Sequence, residues 1–420
     1  MCHRRTGNVR RATTGQAVKP QRAPTQAVIL VGGLGSRLGE LTRNYPKPLL
    51  PVAGKPFLDL VIWHLARYGF RQVLLLAGHG AKVVEQYAAE SAFRDRIAID
   101  IVIEPAPMGT AGALSFARDK LDDIFLLTNG DSIFDFNWLD LHTRFALQPE
   151  ALISMGLRRL PDASRFGAVV LDGHRVKGFQ HRGSGDGGLV NGGVYCMRKE
   201  LLAELPARGS LEQEVMPRLA TMGKICGKEY SGFFLDIGVP ESYAVAETTV
   251  WESRVRPAIF FDRDGVLNID KGYVGQRERF EWQEDAIAAV KLANDQGYFV
   301  FVVTNQAGIA RGYYTEADMM ALHRHMQGEL RANGAHIDDI RFCPHHVDGS
   351  VKPLAIDCEC RKPKPAMLLA LLDTWPAAVS DSILIGDKTT DIDAANAAGI
   401  RGHLYTEGSL SDCVKALICP

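Results

Sequence analysis

Long apolar runs are missing from this 420-residue chain: none approaches the ~18 consecutive residues of a membrane-spanning helix. Net charge is missing too. With 48 Lys+Arg against 49 Asp+Glu the formal charge is -1, so there is no global field to draw in nucleic acid or anionic lipid. Cysteine is sparse, eight in all, and only Cys343, Cys358 and Cys360 cluster, while Cys2, Cys196, Cys226, Cys413 and Cys419 are scattered. Such spacing suits a reducing compartment and one metal site better than a disulfide framework. No sequence repeat relates the two halves. These absences predict a soluble, cytoplasmic protein with no membrane or nucleic-acid partner.

What is present is the balance of an ordinary globular protein, 46% hydrophobic and 23% charged, at a length that predicts two or three domains. Arg4, Arg5, Arg10, Arg11, Lys19 and Arg22 stand among the first residues without an acidic partner. Residues 1–25 therefore read as a disordered basic tail, and they lack the 7 to 15-residue apolar segment of a secretory signal. From Ala27 onward, short apolar runs alternate with amphipathic helical stretches: AVILV, QVLLLAG, IDIVIEP and DIFLLTNGD. A second series, AIFFD, FVFVVTN, IRFC and SILIGD, begins after Pro257. Strands apolar on both faces imply parallel sheets covered by helices, so the chain divides into two different α/β domains, 26–250 and 256–420, joined near Thr248 to Pro257. In open α/β sheets, ligands collect where strands end.

Directly after AVILV come Gly32, Gly33, Gly35 and Arg37, then Lys47 inside Pro46-Lys47-Pro48. Glycines let backbone N–H groups close on phosphate oxygens, and the two cations supply the charge a triphosphate needs. This is neither the dinucleotide fingerprint nor the Walker loop. Together with Glu104-Pro105, Met108 to Gly112, Asn129-Gly130-Asp131, Asn191-Gly192-Gly193 and Asp236 to Pro240, the pattern resembles the sugar-1-phosphate nucleotidyltransferases over about residues 26 to 250. That resemblance implies a Rossmann-like sheet and a reaction in which a sugar 1-phosphate oxygen attacks the α-phosphorus of a nucleoside triphosphate. It also implies that Gly32, Gly33, Gly35, Gly109 and Asn191 bind substrate, that Arg37 holds the leaving pyrophosphate and Lys47 the α-phosphate side, and that Asp131 and Asp236 hold one Mg²⁺. Glu104 lies where relatives place the residue facing the base; a carboxylate accepts two hydrogen bonds from guanine, which favours GTP. One stretch departs from the pattern. Where relatives carry a Glu-Lys pair after an aromatic residue, this chain has Phe179, Gln180, His181 and Arg182, which leaves open a domain that senses sugar nucleotide without catalysis.

In the second series, AIFF runs into Asp262, Arg263, Asp264, Gly265. Two carboxylates two residues apart on a turn can divide the labour of nucleophile and general acid. Thr304, Lys362 and Gly386-Asp387-Lys388 follow in order, and the set resembles the haloacid dehalogenase superfamily. The resemblance implies a Rossmannoid fold in which Asp262 attacks a phosphomonoester, Asp264 protonates the departing alcohol, and Mg²⁺ sits with Asp262, the Asp264 backbone carbonyl and Asp387, while Thr304 and Lys362 hold the phosphoryl oxygens. Cys343, His345, Cys358 and Cys360 offer three thiolates and one imidazole, the donor set of a closed, structural Zn²⁺ site; His346 reads as a bystander. The stretches DRDGVLNIDKGYV, TNQAGIARG, CPHH, CECRKPKP and GDK are similar to those of the heptose 1,7-bisphosphate 7-phosphatases, with the zinc-loop histidinol phosphatases as the next resemblance. On that likeness Asp270, Lys271, Gly272, Tyr273, Asn305, Gln306, Ala307, Arg361 and Lys388 contact the sugar bisphosphate. The fusion implies a bifunctional enzyme of nucleotide-activated heptose synthesis; the alternative is a mannose 1-phosphate guanylyltransferase joined to a histidinol-phosphatase-like domain.

Overall fold

The computed structural model describes residues 22–33, 35–43, 45–180 and 187–419. Most of the expected basic tail, together with His181 and Arg182, lies outside the described residues. The end of that tail is not loose. Ala23 is buried, the Thr25 carbonyl accepts the Arg71 and Gln72 amides, and the Pro24 carbonyl accepts Arg331 Nη2 at 2.6 Å. The folded part therefore begins a few residues before position 26.

The first domain is built on a nine-stranded sheet. Gln26–Leu30 lies between Gln72–Ala77 and Ile124–Asn129, all parallel, with Ala98–Ile103 beyond Gln72–Ala77. These are the apolar runs read from the sequence, and the three inner ones are buried on both faces. The fully parallel sheet expected here does not hold further out: Gly188–Arg198 joins Ile124–Asn129 antiparallel and pairs antiparallel with Ile153–Leu160. Burial on both faces favours an inner strand but carries no sign of its direction, which is why periodicity missed the reversal.

The second domain holds a five-stranded sheet, wholly parallel as expected: Asp339–Cys343, Phe299–Asn305, Ala258–Phe261, Ile383–Gly386 and Arg401–Leu404. The helix Glu316–Ala332 packs beside it. A reciprocal cap starts that helix, with the Thr315 hydroxyl accepting the Asp318 amide and the Asp318 carboxylate accepting the Thr315 amide, a pairing that satisfies two otherwise orphaned donors.

The two domains share one core. Trp63, on the first-domain helix Phe57–Arg67, packs edge-on to Phe299 at 6.3 Å and against Trp375 at 6.2 Å, both in the second domain. A buried polar seam runs alongside. Arg67 pairs with Asp338 at 2.5 Å with both side chains essentially inaccessible, and Asp338 also accepts from His336 Nε2 and the Val300 amide. Asn137 Nδ2 donates to Asp295 and to the Gly334 carbonyl, each at 2.7 Å, and Arg256 in the connector pairs with Asp135 at 2.5 Å. The Arg67 guanidinium holds the Asp338 carboxyl well below the usual carboxylate range against the opposing effect of burial. Removing one partner of such a pair leaves a buried charge alone. Arg67→Met is expected to lower the unfolding free energy by about 3–5 kcal/mol, read as a shift in a urea titration followed by tryptophan fluorescence; an unchanged midpoint would refute the seam's importance.

Among the described residues, no helix is long and apolar enough to cross a membrane.

Candidate active sites

In the first domain, the ends of two adjacent parallel strands create the site. Leu30 and Asn129 are register partners, so the loop after Leu30 and the turn at Asp131 emerge side by side. Phe234–Asp236 pairs antiparallel with Ser132–Phe134, setting Asp236 opposite Ser132 and hence beside Asp131. Lys47, buried at the start of a short 3-10 turn, donates from Nζ to Asp131 Oδ2 at 2.6 Å. Burial raises the Asp236 carboxyl, the Asp131 charge raises it further, and Lys47 opposes both. Two carboxylates that repel each other at the mouth of a phosphate loop are the donor set a hard divalent cation fits.

The cleft here, about 220 Å³, is lined by Gly33, Gly35, Lys47, Asn129 and Asp131 and also by Glu212. Glu212 had no sequence signal: its carboxylate accepts the Thr110 hydroxyl at 2.7 Å, and Thr110 in turn accepts the Leu211 amide. Arg165, also unforeseen, reaches Asp236 at 3.2 Å. Glu104 sits against the glycine loop, its Oε1 filling the space that a Cβ on Gly32 or Gly78 would need, while its Oε2 accepts the Met108 amide at 3.0 Å. Burial pushes its carboxyl up and that amide pulls it down.

Gly109, at φ 72°, serves the backbone: a side chain there would run into the Gly209 carbonyl, which accepts the Ala111 amide. Asn191 ties its own turn, accepting the Gly193 amide and donating to Tyr195 Oη. Arg37 stands exposed beside the loop. Of the departing segment, only Phe179 and Gln180 are described, and the Gln180 amide bonds the Ala168 carbonyl.

In the second domain, three neighbouring parallel strands deliver Asp262, Thr304 and Asp387 to one edge of the sheet. Asp262 is 6% exposed, and Lys362 Nζ bonds it at 2.8 Å. The same ammonium pairs with Asp391 at 2.6 Å and donates to the Val303 carbonyl at 2.7 Å. Burial pushes the Asp262 carboxyl up to about 6 even though Lys362 pulls it down, with Asp391 and Asp264 adding to the rise. Asp264 is gripped by Arg263 Nη2 at 2.8 and 2.9 Å, by Asn268 at 3.0 Å and by Gln306 at 2.8 Å. Gln306 also donates to Thr304 Oγ1, so the threonine's own proton stays free for a ligand oxygen.

Asn305 lines the cleft and also braces its neighbour. It holds the backbone of Lys362 through both its amide nitrogen and its oxygen, each at 3.1 Å. Asp270, Gly272, Tyr273, Ala307, Arg361 and Lys388 line the same cleft of about 570 Å³. Lys271 does not; its ammonium turns to Glu281 at 2.6 Å. His346, read as a bystander, does line the cleft, beside Arg311.

Asp262, Asp387 and Asp391 bring carboxylate oxygens within 4.8 Å of one another, and Asp387 Oδ1 is buried without a hydrogen-bond partner among the described residues. Gly265, at φ 91°, lets the loop backbone press against that carboxylate. An orphaned acceptor among carboxylates fits a hard cation. Asp391 was missed because it sits one turn into a helix, where it accepts the Lys388 amide as a capping residue.

The four expected zinc ligands converge. Cys343 Sγ to Cys358 Sγ and Cys358 Sγ to Cys360 Sγ are each 3.4 Å, and His345 Nδ1 lies 3.3 Å from Cys360 Sγ. A disulfide would bring two sulfurs to about 2.05 Å, whereas ligands about 2.0–2.3 Å from one tetrahedral ion stand about 3.5–3.8 Å apart. The donor set and the spacing both fit zinc. Arg361 and Lys362 follow the last ligand directly.

Set against known proteins, residues 26–253 match the family model described as nucleotidyl transferase, and residues 359–416 match the one described as HAD-hydrolase-like. The chain is 48% identical over 163 residues to a D-glycero-beta-D-manno-heptose-1,7-bisphosphate 7-phosphatase of Rhodopseudomonas palustris, covering 39% of this chain and 91% of the relative. Over 230 residues it is 33% identical to a D-glycero-alpha-D-manno-heptose 1-phosphate guanylyltransferase of Aneurinibacillus thermoaerophilus, covering 53% of this chain and 96% of the relative. Among solved structures, HddC from Yersinia pseudotuberculosis complexed with GMP-PN aligns at 26% identity and a TM-score of 0.48, covering 54% of this chain and 99% of that one.

Proposed function

We propose, on the premise that the chain belongs to the nucleotidyl transferase family and carries a haloacid-dehalogenase-type phosphatase behind it, that it makes a GDP-activated heptose in two steps. The second domain removes the 7-phosphate of D-glycero-D-manno-heptose 1,7-bisphosphate, and the first couples the resulting heptose 1-phosphate to GTP with release of pyrophosphate. The observation that carries this reading is the joining, in one polypeptide, of likenesses to enzymes whose names describe consecutive reactions. Those names differ in anomer, beta for the phosphatase and alpha for the guanylyltransferase. For the two halves to act in succession, this phosphatase must accept the α anomer.

In the phosphatase, an Asp262 oxygen attacks phosphorus and the bond to the sugar oxygen breaks. Asp264, held by Arg263, Asn268 and Gln306, gives its proton to that departing oxygen and then takes one from the water that opens the aspartyl-phosphate. Lys362 meets the charge on the phosphoryl group, and the Thr304 hydroxyl donates to it. In the transferase, the sugar phosphate oxygen attacks the α-phosphorus and the bond to the bridging oxygen of pyrophosphate breaks, with Lys47 and Arg37 neutralising the charge. Asp131 and Asp236 in one domain, and Asp262, the Asp264 carbonyl and Asp387 in the other, would hold magnesium, which would supply further positive charge at the phosphoryl oxygens. Cys343, His345, Cys358 and Cys360 would hold a zinc that pins the loop carrying Lys362. A reaction that consumes GTP fits a cytoplasmic enzyme.

The test offers the purified protein each anomer of the 1,7-bisphosphate separately, with Mg²⁺ and all four ribonucleoside triphosphates, and identifies products by mass spectrometry. GDP-heptose from the α anomer is expected. Heptose 1-phosphate accumulating without nucleotide transfer would overturn the first-domain reading, and no turnover of either anomer would sink both.

A further inference from the structure

One basic concavity belongs to neither site. A cleft of about 580 Å³ lies between the domains, bounded on one side by Arg22 to Thr25 and Arg67 to Arg71 and on the other by the helix Glu316–Ala332. Its volume falls within the ~300–1,000 Å³ of small-molecule sites. No Asp or Glu lines it, while Arg22, Arg71, Arg324 and Arg331 do, and none of these four guanidiniums pairs with a carboxylate among the described residues. Four buried nitrogens without a hydrogen-bond partner among the described residues, Arg67 Nη1, His323 Nε2, Arg331 Nη1 and His336 Nδ1, all belong to residues lining this one cleft. The two guanidinium nitrogens among them are donors, which native structures rarely leave bare, and both belong to side chains at one opening. Burial and the nearby Arg71 charge pull the Arg331 guanidinium down to about 10, the mark of cations crowded without a counter-ion.

The remaining wall is apolar. Phe342, set edge-on to His323 at 5.9 Å, together with Tyr68, Ile340 and the exposed thioether of Met320, faces the same space. Inorganic phosphate would leave that wall against water, and a sugar phosphate would set hydroxyls on it. A ligand with two phosphates at one end and a flat heteroaromatic ring at the other satisfies both halves, since guanidiniums chelate phosphate in planar forks and ring faces pack on apolar and aromatic side chains.

We propose that the interdomain cleft is a second nucleotide site, separate from both active sites, and that it takes a nucleoside diphosphate with its phosphates on Arg71, Arg324 and Arg331. Arg71 and Arg324 are solvent-exposed arms, so changing them leaves the core alone. The test is equilibrium dialysis of the full-length Lys47→Ala variant, with its transferase site weakened, against labelled GDP without added Mg²⁺. One GDP per chain is expected, with at least a tenfold weaker dissociation constant when Arg71→Gln and Arg324→Gln are added, and binding of guanosine alone or pyrophosphate alone at least tenfold weaker than GDP. Retention of no GDP, or a dissociation constant unmoved by the arginine changes, would overturn the proposal. Pyrophosphate binding as tightly as GDP would overturn it too, by reducing the site to one for inorganic anions.

Discussion

Asp262→Asn is expected to reduce phosphate release from a sugar bisphosphate by about four orders of magnitude or more, the scale on which removal of a catalytic nucleophile acts. The fold should survive. The native carboxylate is buried beside Asp391 and Asp264 and is pushed up to about 6 despite Lys362. A carboxyl raised in this way favours the folded state fully only below its unfolded value near 4; that advantage fades as pH rises and is gone above about 6. At neutral pH the native protein already bears the burden of an ionised Asp262. Replacing it with a neutral amide lifts that burden and leaves Lys362 paired with Asp391, so the thermal midpoint should move little. The measurement pairs a phosphate-release assay with a melting curve. Turnover near wild type in a folded variant would remove Asp262 from the mechanism; loss of activity with loss of the fold would show that its role is structural.

Removal of zinc is the second large effect expected. Structural zinc sites contribute about 10–16 kcal/mol of apparent binding free energy, and here the four ligands join the end of a core strand, at Cys343, to a loop that ends in Lys362. Without the ion, the loop loses the cross-link that the ligand set makes to the strand, and the Lys362 backbone is left to the hold of Asn305. Cys360→Ser, or exhaustive chelation, should lower the metal content from one zinc per chain toward none and cut phosphatase turnover at least a hundredfold. Elemental analysis alongside the assay decides it. A metal-free protein that retains full activity would show the cluster to be a bystander, and a wild-type protein that carries no zinc after preparation in zinc-supplemented medium would refute the site itself.

The chemistry of both sites was legible wherever it follows a strand directly. Asp131, Asp262, Thr304 and Asp387 each end or trail a run of buried apolar residues, and the sheet brings each into its expected neighbourhood. The cluster of Cys343, His345, Cys358 and Cys360 was legible because thiols and imidazoles at close spacing have few other uses. What escaped the sequence acts through the fold. Arg263 was only a letter between two aspartates, yet it is fully buried and grips Asp264. Asp391 hides as a helix-capping residue, and Glu212 reaches its cleft from a distant segment with no motif around it. Lys271 looked like part of a binding stretch, but Glu281 competes for it. The seam between the domains was invisible for the same reason. Arg67 and Asp338 are 271 positions apart, and nothing local in either marks the other as its partner.

That seam changes what the fusion means. A flexible linker would let one domain swing toward the other and deliver a product in person. Here Trp63, Phe299 and Trp375 pack into one cluster and Arg67 is locked to Asp338 behind them, so the two catalytic mouths keep fixed bearings like openings in a single wall. A molecule leaving one has no swinging domain to carry it to the other. The gain from holding both halves in one chain is then an invariant one-to-one dose of the two activities, with no moving carrier between them.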